Sequence, residues 1–233
     1  MQILPQAEFQ NLEINPKEVW QRLGYPDPTL ASPAIQEAFH RAMEIWQTLI
    51  EPAACYDIFQ IEKVTPSSVE VKAGVSFESQ VLAYLCQGAR ELAVFIVTIG
   101  PRLEEEVRKL FQSGNFAVGD ILDKFGSRAV SMVAYRVKGL IQDYALSMGY
   151  QVMTPYWYCP GYGDWKTWEQ KKLFTLVDGI HIGVCLGKAC MMTPVKSYSC
   201  VLPIGLQRVD LGLLKKKDVF KLMPDFCQLR FSE

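Results

Sequence analysis

The chain has 233 residues, of which 49% are hydrophobic and 21% are charged, the ordinary range of globular proteins. Lysine and arginine together number 24, aspartate and glutamate 25, so the net charge is close to zero. This balance argues against nucleic-acid and anionic-membrane partners, which select basic surfaces. A neutral partner surface or a small ligand fits the composition better.

The first residues, MQILPQAEFQNLEINPKE, lack the basic start and the apolar run of a secretory signal. The longest apolar run spans residues 92–97. It is far shorter than the roughly 20 residues that cross a bilayer. The sequence therefore predicts a cytoplasmic protein without a membrane partner.

The seven cysteines are odd in number and scattered, and no Cys-x-x-Cys pair occurs. This spacing predicts reduced thiols rather than a disulfide framework. Cys185, Cys190 and Cys200 come nearest to a cluster, but their spacing fits no usual zinc or iron-sulfur pattern. The two histidines, His40 and His181, do not complete one. We expect buried thiols and no metal site.

Hydrophobic periodicity predicts both helices and strands. In chain order, the patterns indicate a helix from Ser32-Pro33 to residue 50, β-prone segments at 56–64 and 68–72, a helix at 79–87, a buried strand at 92–100, a charged helix after Gly100-Pro101, a long helix at 116–148, a helix from a Thr167–Gln170 capping box to about 177, and extended segments at 181–192 and 198–205. No repeat or linker separates these elements. The sequence predicts one α+β domain over residues 1–233, with the helical portion at about 14–50 packed on it.

The segment at 116–148 carries apolar residues at helical spacing, which predicts the spine of the core. Gly126 and Gly139 interrupt it, and each costs roughly 1 kcal/mol relative to alanine inside a helix. They should mark close packing or a break in the helix.

Residues 156–171, YWYCPGYGDWKTWEQK, combine three of the five tryptophans with a Pro-Gly-Tyr-Gly core. Glycines permit positive φ and let the backbone approach a ligand closely. Tyr162 offers a ring and a hydroxyl, and walls for a flat ring or a cation would come from Trp157, Tyr158, Trp165 and Trp168. Alternatively, the tryptophans close the end of the core beneath an irregular loop. Composition alone leaves both interpretations open.

Other candidate sites are weaker. Gly100-Pro101 has the form of an ordinary strand-to-helix turn, because an anion site would need further glycines. His40 and His181 lie in no recognisable nucleophile motif. The sequence therefore predicts no catalytic residue.

Five segments resemble, in order, the reactivation domain of cobalamin-dependent methionine synthase, in particular its stand-alone bacterial relatives: VTIGPRLEEEV, ILDKFGSRAV, PGYGDWKTWEQKKLF, IGVCLGKACMMTPVKSYS and IGL. The resemblance runs from about residue 14 to 206. Its most specific parts are the run from Pro160 to Trp165 and the pattern from Met191 to Ser199. The resemblance implies an α+β fold with a curved, mainly antiparallel sheet flanked by helices.

The resemblance also implies a function. The reactivation domain binds S-adenosylmethionine and docks over a corrinoid whose cobalt has been oxidised to cob(II). One-electron reduction, followed by methyl transfer from S-adenosylmethionine, restores methylcobalamin. The resemblance therefore implies that the chain supports reductive methylation of cob(II)alamin on a separate cobalamin-carrying methyltransferase or corrinoid protein, with an external one-electron reductant.

Two groups of site residues follow from the resemblance. S-adenosylmethionine would be bound by Trp157, Cys159, Pro160, Gly161, Tyr162 and Gly163. The corrinoid or the partner protein would be faced by Trp165, Lys188, Met191, Met192, Pro194, Lys196, Ser197 and Ser199. Both groups are expected to line one concave surface.

Several positions depart from the family pattern. The family usually carries an arginine, suited to the methionyl carboxylate, where this chain has Trp157. An indole cannot replace a bidentate guanidinium. The usual Thr-Glu-Ser is Gly187-Lys188-Ala189, Cys200 replaces a glycine, and Cys227 alone stands for the C-terminal cysteine cluster of many relatives. Binding of S-adenosylmethionine is therefore expected to be weak or lost.

These departures support an alternative function. The chain would then be a non-catalytic module on the same fold that binds a corrinoid protein or another ligand without S-adenosylmethionine chemistry. An unrelated thiol enzyme is a third and more remote hypothesis.

Overall fold

The computed structural model describes residues 1–210. Cys227 lies outside them. The helices are α1 (Pro16–Arg22), α2 (Pro33–Ile45), α3 (Gln80–Leu85), α4 (Arg102–Gln112), α5 (Phe116–Ser147) and α6 (Gln170–Leu176). The strands are β1 (Gln2–Leu4), β2 (Ala53–Val64), β3 (Ser68–Val71), β4 (Val75–Glu78), β5 (Ala89–Thr98), β6 (Gln151–Val152), β7 (Cys185–Leu186), β8 (Met192–Thr193) and β9 (Ser197–Gly205).

The main sheet is open and antiparallel, with strand order β4-β3-β2-β5-β9-β6 and β1 paired beside β2. Strand β5 lies between β2 and β9 and is buried on both faces from Leu92 to Thr98. A strand buried on both faces is apolar throughout rather than alternating, which is why residues 92–97 form the longest apolar run. The predicted α+β class with a mainly antiparallel sheet is confirmed.

Helix α5 lies on the sheet face that carries Ala93, Phe95 and Val97. Its two glycines differ in their surroundings. A Cβ on Gly126 would lie 2.6 Å from Leu103 Cδ2 of α4, whereas a Cβ on Gly139 would meet nothing within 4 Å. The helix continues through both positions, so the expected close packing is present at Gly126 and neither glycine breaks the helix.

The N-terminal helices share this core. Trp20 of α1 stacks on Phe39 of α2 with ring centroids 4.0 Å apart, and Phe39 lies 5.4 Å from Phe125 of α5. Trp46, in the 3-10 turn that continues α2, also stacks on Phe125, with ring centroids 5.9 Å apart. Helix α2 begins where predicted, because Ser32 Oγ accepts a hydrogen bond from Ile35 N at 3.4 Å and Pro33 follows it.

The opposite face of the sheet is covered by α3, α6 and a loop, and the β3-β4 hairpin at the sheet edge contributes Val69, Val71 and Phe77 to this second core. The capping box predicted at Thr167–Gln170 is wrong. A 3-10 turn spans Thr167–Glu169, and neither it nor α6 has a side-chain cap. The Glu169 carboxylate instead accepts a hydrogen bond from Glu78 N at 2.9 Å and forms an ion pair with Lys172 Nζ at 2.7 Å. A contact between distant segments has replaced the local one.

Within residues 1–210, no helix is both long and apolar enough to cross a membrane. The same residues contain no group of three or more histidine, cysteine, aspartate or glutamate side chains placed to hold a metal ion.

Candidate functional site

Residues 157–165, here called the glycine loop, form an irregular turn beside β9. Gly161 and Gly163 have φ angles of 95° and 58°, a region that glycine enters without strain. The loop closes on itself, because Gly161 N donates to the Trp165 carbonyl at 2.7 Å and the Tyr158 hydroxyl donates to the Tyr162 carbonyl at 2.7 Å. The two glycines therefore serve the turn itself.

Two side chains at the end of the glycine loop hold it against the protein. Trp165 is 1% exposed and packs between Tyr158, with ring centroids 5.6 Å apart, and Phe77, at 5.5 Å. The Asp164 carboxylate accepts hydrogen bonds from Ser79 Oγ at 2.6 Å and Gln80 N at 2.5 Å, at the start of α3. A carboxylate at that position satisfies backbone donors that the helix leaves unpaired.

The second motif begins in a small hairpin. Of the extended segment predicted at 181–192, only Cys185–Leu186 (β7) and Met192 (in β8) lie in strands, and a 3-10 turn, Gly179–Ile182, precedes them. Gly187 N donates to the Met191 carbonyl at 2.9 Å, and Cys190 adopts a φ of 58° at the tip of the hairpin. Because the hairpin ends just before β9, it is brought beside the glycine loop.

The glycine loop, the hairpin and the first residues of β9 border an open cavity of about 350 Å³. Small-molecule sites typically have volumes of roughly 300–1,000 Å³. The cavity is lined by Cys159, Pro160, Gly161, Tyr162, Gln170, Cys190, Met191, Met192, Val195, Ser197, Tyr198 and Ser199. The two sequence motifs thus meet at one concave surface.

Among the described residues, the wall of this cavity is polar in places but includes no lysine, arginine, histidine, aspartate or glutamate. Burial raises the pKa of the Tyr198 hydroxyl, and a hydrogen bond with Ser131 opposes that rise. Inside the cavity Ser199 Oγ donates to Gln170 Oε1 at 3.3 Å. Within residues 1–210, the lining therefore offers hydrogen bonds and apolar contacts but no charged side chain.

The rim of the cavity is apolar and open to solvent. Met191 is 61% exposed and Val195 is 63% exposed. Lys188 is also exposed, but it lies at the hairpin tip outside the cavity lining.

The comparison with solved structures identifies a relative of the same shape. The MetH reactivation domain bound to AdoHcy matches the chain with a TM-score of 0.58, over 88% of this chain and 81% of that one, at 13% sequence identity. The chain has the reactivation-domain fold. No family model matches the sequence. No curated protein matches it either.

The reactivation-domain fold places Trp157 outside the cavity lining. Its ring packs instead on Tyr135 of α5 at 4.9 Å, on Phe95 at 6.3 Å and near Tyr198 at 6.3 Å. The expected wall of aromatic rings is also wrong for Tyr158 and Trp165, which belong to the core, and for Trp168, which is 61% exposed. Among the aromatic residues that were expected to form the wall, Tyr162 lines the cavity.

Several residues expected to face a partner are turned inward. Trp165 is in the core, and Pro194 is buried. Lys196 Nζ lies 2.8 Å from Asp123 Oδ1 and 2.8 Å from Ser127 Oγ, so its charge is paired with α5. For these three residues the prediction is wrong: Trp165 and Lys196 each have a partner in a segment that is distant in sequence, and Pro194 is buried.

Ser197 and Ser199 are 4% and 2% exposed, which leaves them in the cavity wall rather than on the partner-facing surface. Ser197 Oγ lies 2.9 Å from Thr98 Oγ1 and 2.7 Å from the Pro194 carbonyl. These contacts fix the start of β9. Met191 and Met192 line the cavity, and Met191 reaches the rim.

Four lining residues were not predicted: Gln170, Cys190, Val195 and Tyr198. All four fall inside the segments that carry the resemblance. Tyr198 lies between the predicted Ser197 and Ser199, and Val195 lies two residues before Ser197. The predicted positions that do line the cavity are Cys159, Pro160, Gly161, Tyr162, Met191, Met192, Ser197 and Ser199. The motifs therefore predicted the place of the cavity and most of its lining, and missed the other four residues.

Proposed function

We propose that this cavity binds S-adenosylmethionine, or a closely related nucleoside, and that the chain supports reductive methylation of cob(II)alamin on a separate corrinoid-carrying methyltransferase. One observation carries the proposal: the two motifs converge on a single cavity in a fold shared with a domain bound to AdoHcy. Such a role belongs to methionine biosynthesis in the cytoplasm.

The lining residues fit the nucleoside part of such a ligand. The Gln170 amide and the Ser199 hydroxyl are buried hydrogen-bonding groups at the cavity wall. The Tyr162 ring offers a face for a purine, since aromatic rings stack on flat heterocycles. The absence of a side chain at Gly161 leaves its backbone open to close approach.

The amino-acid end of S-adenosylmethionine has no counter-charge among the lining residues. A charge-assisted bidentate contact contributes roughly 1.5–3 kcal/mol, so its absence lowers affinity by about one to two decades. We therefore expect weak binding. Trp157, where the resemblance expects arginine, is held by Tyr135 and Phe95 and cannot supply that contact.

The exposed rim formed by Met191 and Val195 suits an apolar partner surface. The proposed partner carries cobalamin, which supplies the methyl-accepting cobalt, and an external reductant supplies one electron. The share of this chain is to bind and orient the nucleoside and to cover the partner at the rim.

Calorimetric titration with S-adenosylmethionine tests the proposal. We expect saturable, weak binding, and we expect Tyr162→Ala to reduce the affinity about tenfold through loss of the stacking face. Trp168→Ala is the matched control, because Trp168 belongs to the same segment but lies outside the cavity lining. Equal effects of the two substitutions would contradict this assignment, and tight binding by the natural chain would contradict the expectation of weak affinity.

A second function is favoured by the uncharged lining and by the packing of Trp157. In this alternative, the chain is a non-catalytic module whose cavity and rim hold a corrinoid protein or a neutral ligand. Calorimetry would then show no saturable binding of S-adenosylmethionine. Replacing Met191 by aspartate would weaken co-elution with the corrinoid protein, while Met43→Asp, at an exposed methionine on α2, would not.

A further inference from the structure

Cys159 and Cys200 lie opposite each other on two paired segments. Tyr158 N donates to the Val201 carbonyl at 3.0 Å, and Val201 N donates to the Tyr158 carbonyl at 2.9 Å. The next two residues along this antiparallel pairing are therefore Cys159 and Cys200, in a pair without mutual backbone hydrogen bonds. In such a pair the Cα atoms are roughly 4.5 Å apart and both side chains point to the same face.

This placement fits the requirements of a disulfide. A disulfide bond needs Cα atoms separated by roughly 4.4–6.8 Å and Cβ atoms that face each other. The two sulfur atoms already share a hydrogen bond at 2.9 Å, and both thiols are free. Among the cysteines of residues 1–210, this is the one pair whose sulfur atoms are in contact.

The two cysteines differ in access. Cys159 is 8% exposed and lines the cavity, whereas Cys200 is fully buried behind it. Burial raises the pKa of the Cys200 thiol, and the neighbouring Cys159 adds to that rise. Because the thiolate is the reactive form, a small oxidant that enters the cavity would react first at Cys159.

We propose that Cys159 and Cys200 form a reversible intramolecular disulfide, a redox modification site in the wall of the cavity, with a peroxide as the oxidant. The Cys159 sulfur attacks one oxygen of hydrogen peroxide and forms a sulfenic acid, while the other oxygen leaves as hydroxide and takes up the Cys159 proton to become water. The Cys200 sulfur then attacks the Cys159 sulfur, the new S–S bond forms, and the sulfenic oxygen leaves as water with the Cys200 proton. In sum, two thiols lose two electrons and two protons, and one peroxide becomes two waters.

The disulfide would tie the glycine loop covalently to β9. The loop residues Pro160, Gly161 and Tyr162 and the β9 residues Ser197 and Ser199 form facing parts of the cavity wall. Oxidation would therefore fix the distance between the glycine loop and β9. A thiol reductant would release them.

The full-length chain, reduced and then treated with hydrogen peroxide at neutral pH, tests this site. Remaining thiols are alkylated, and the digested protein is mapped by mass spectrometry. We expect a linked peptide pair containing Cys159 and Cys200, lighter by two hydrogen atoms and separated again by dithiothreitol. The exposed Cys185 reports that the oxidant acted. Oxidation of Cys185 without the Cys159–Cys200 link, or a link through Cys190 instead, would overturn the proposal.

Variants separate the roles of the two thiols. Cys200→Ser should leave a sulfenic acid on Cys159 that dimedone traps, whereas Cys159→Ser should give neither the link nor a dimedone adduct at Cys200. Cys185→Ser is the control and should leave the link unchanged. Peptide mapping does not depend on S-adenosylmethionine binding, so its outcome is independent of the proposed function.

Discussion

The two faces of the main sheet are stabilised in different ways. The helix-covered face carries Ala93, Phe95 and Val97 and lies under α5, a helix of 32 residues that α1, α2 and α4 support. The loop-covered face carries Leu92, Val94 and Ile96 and lies under short helices, a hairpin and the glycine loop. The long helix distributes its contacts along its whole length, whereas the loop depends on a few anchoring side chains.

This difference has a consequence for mutations. On the loop-covered face, Trp165 and Asp164 hold the glycine loop to elements about eighty residues away in sequence, Phe77 and the start of α3. We therefore expect single substitutions at these anchors to cost more stability than substitutions at comparable positions on the helix-covered face.

The largest effect is expected at Trp165. Trp165→Ala removes a ring that is 1% exposed and packed on Tyr158 and Phe77, and it should lower the free energy of unfolding by about 3–5 kcal/mol. Equilibrium urea unfolding measures the loss. Trp168→Ala is the control, since that ring is 61% exposed and should change stability by less than about 0.5 kcal/mol. Similar losses of stability in both variants would show that buried Trp165 stabilises the fold no more than exposed Trp168 does.

The next effect concerns pH and the loop-covered face. Burial raises the pKa of Cys55 to about 12, and the Asp178 carboxylate adds to the rise. Between the ordinary thiol pKa and this value the unfolded chain loses a proton that the folded chain keeps, so stability falls as pH rises. With an unfolded pKa of roughly 8.5, the loss from this thiol should reach about 2 kcal/mol at pH 10.

Unfolding measured from pH 7 to pH 10 in the natural chain and in Cys55→Ala tests this expectation. The variant should lose less stability over that range, and the difference between the two slopes isolates Cys55 from other buried thiols. Parallel slopes would show that Cys55 is not protected from titration.

Asp164 should have a smaller but definite effect. Asp164→Ala removes the acceptor of Ser79 Oγ and Gln80 N at the start of α3, and we expect a loss of about 1–2 kcal/mol in unfolding free energy. Asp27→Ala is the matched control, because Asp27 caps the 3-10 turn Pro28–Leu30 only through its near neighbour Thr29. The comparison between the faces would be weakened if Asp27→Ala cost as much as Asp164→Ala.

The smallest effects are expected on the helix-covered face, at the two glycines of α5. Gly139→Ala adds a methyl group in open space and should raise stability by up to about 1 kcal/mol. Gly126→Ala places a methyl group 2.6 Å from Leu103 Cδ2, and the clash should outweigh the helix gain, with a net loss of about 1 kcal/mol. Thermal unfolding of both variants measures the pair. A gain at both positions would mean that Leu103 moves aside freely.

Helix α5 shows why the helix-covered face could be predicted from sequence. Its apolar residues recur at the helical period, so the signal lies within one segment and needs no partner to be read. Strand β5 was visible for a similar reason, since a fully buried strand is one apolar run.

The glycine loop shows where such local signals end. A tryptophan can line a ligand site or fill a core. For Trp165 the choice is decided by its packing against Phe77, which is distant in sequence. In the sequence, Lys196 likewise resembles an exposed surface charge. In the structure it forms an ion pair with Asp123. The location of the candidate site followed from the motifs, but the direction of each side chain depended on contacts between residues far apart in sequence.

The pairing of β5 with β9 also determines when the fold can be completed. Ala89 pairs with Gly205 and Thr98 with Ser197, so these neighbours in the sheet are about one hundred residues apart in the chain. Contacts of such long sequence separation slow folding, because a large loop must close before they form. During synthesis β5 leaves the ribosome long before β9. Until β9 is made, the edge of β5 that pairs with it has no hydrogen-bonding partner, although the strand is strongly apolar. The centre of the sheet is thus the part of the nascent chain most in need of protection from aggregation.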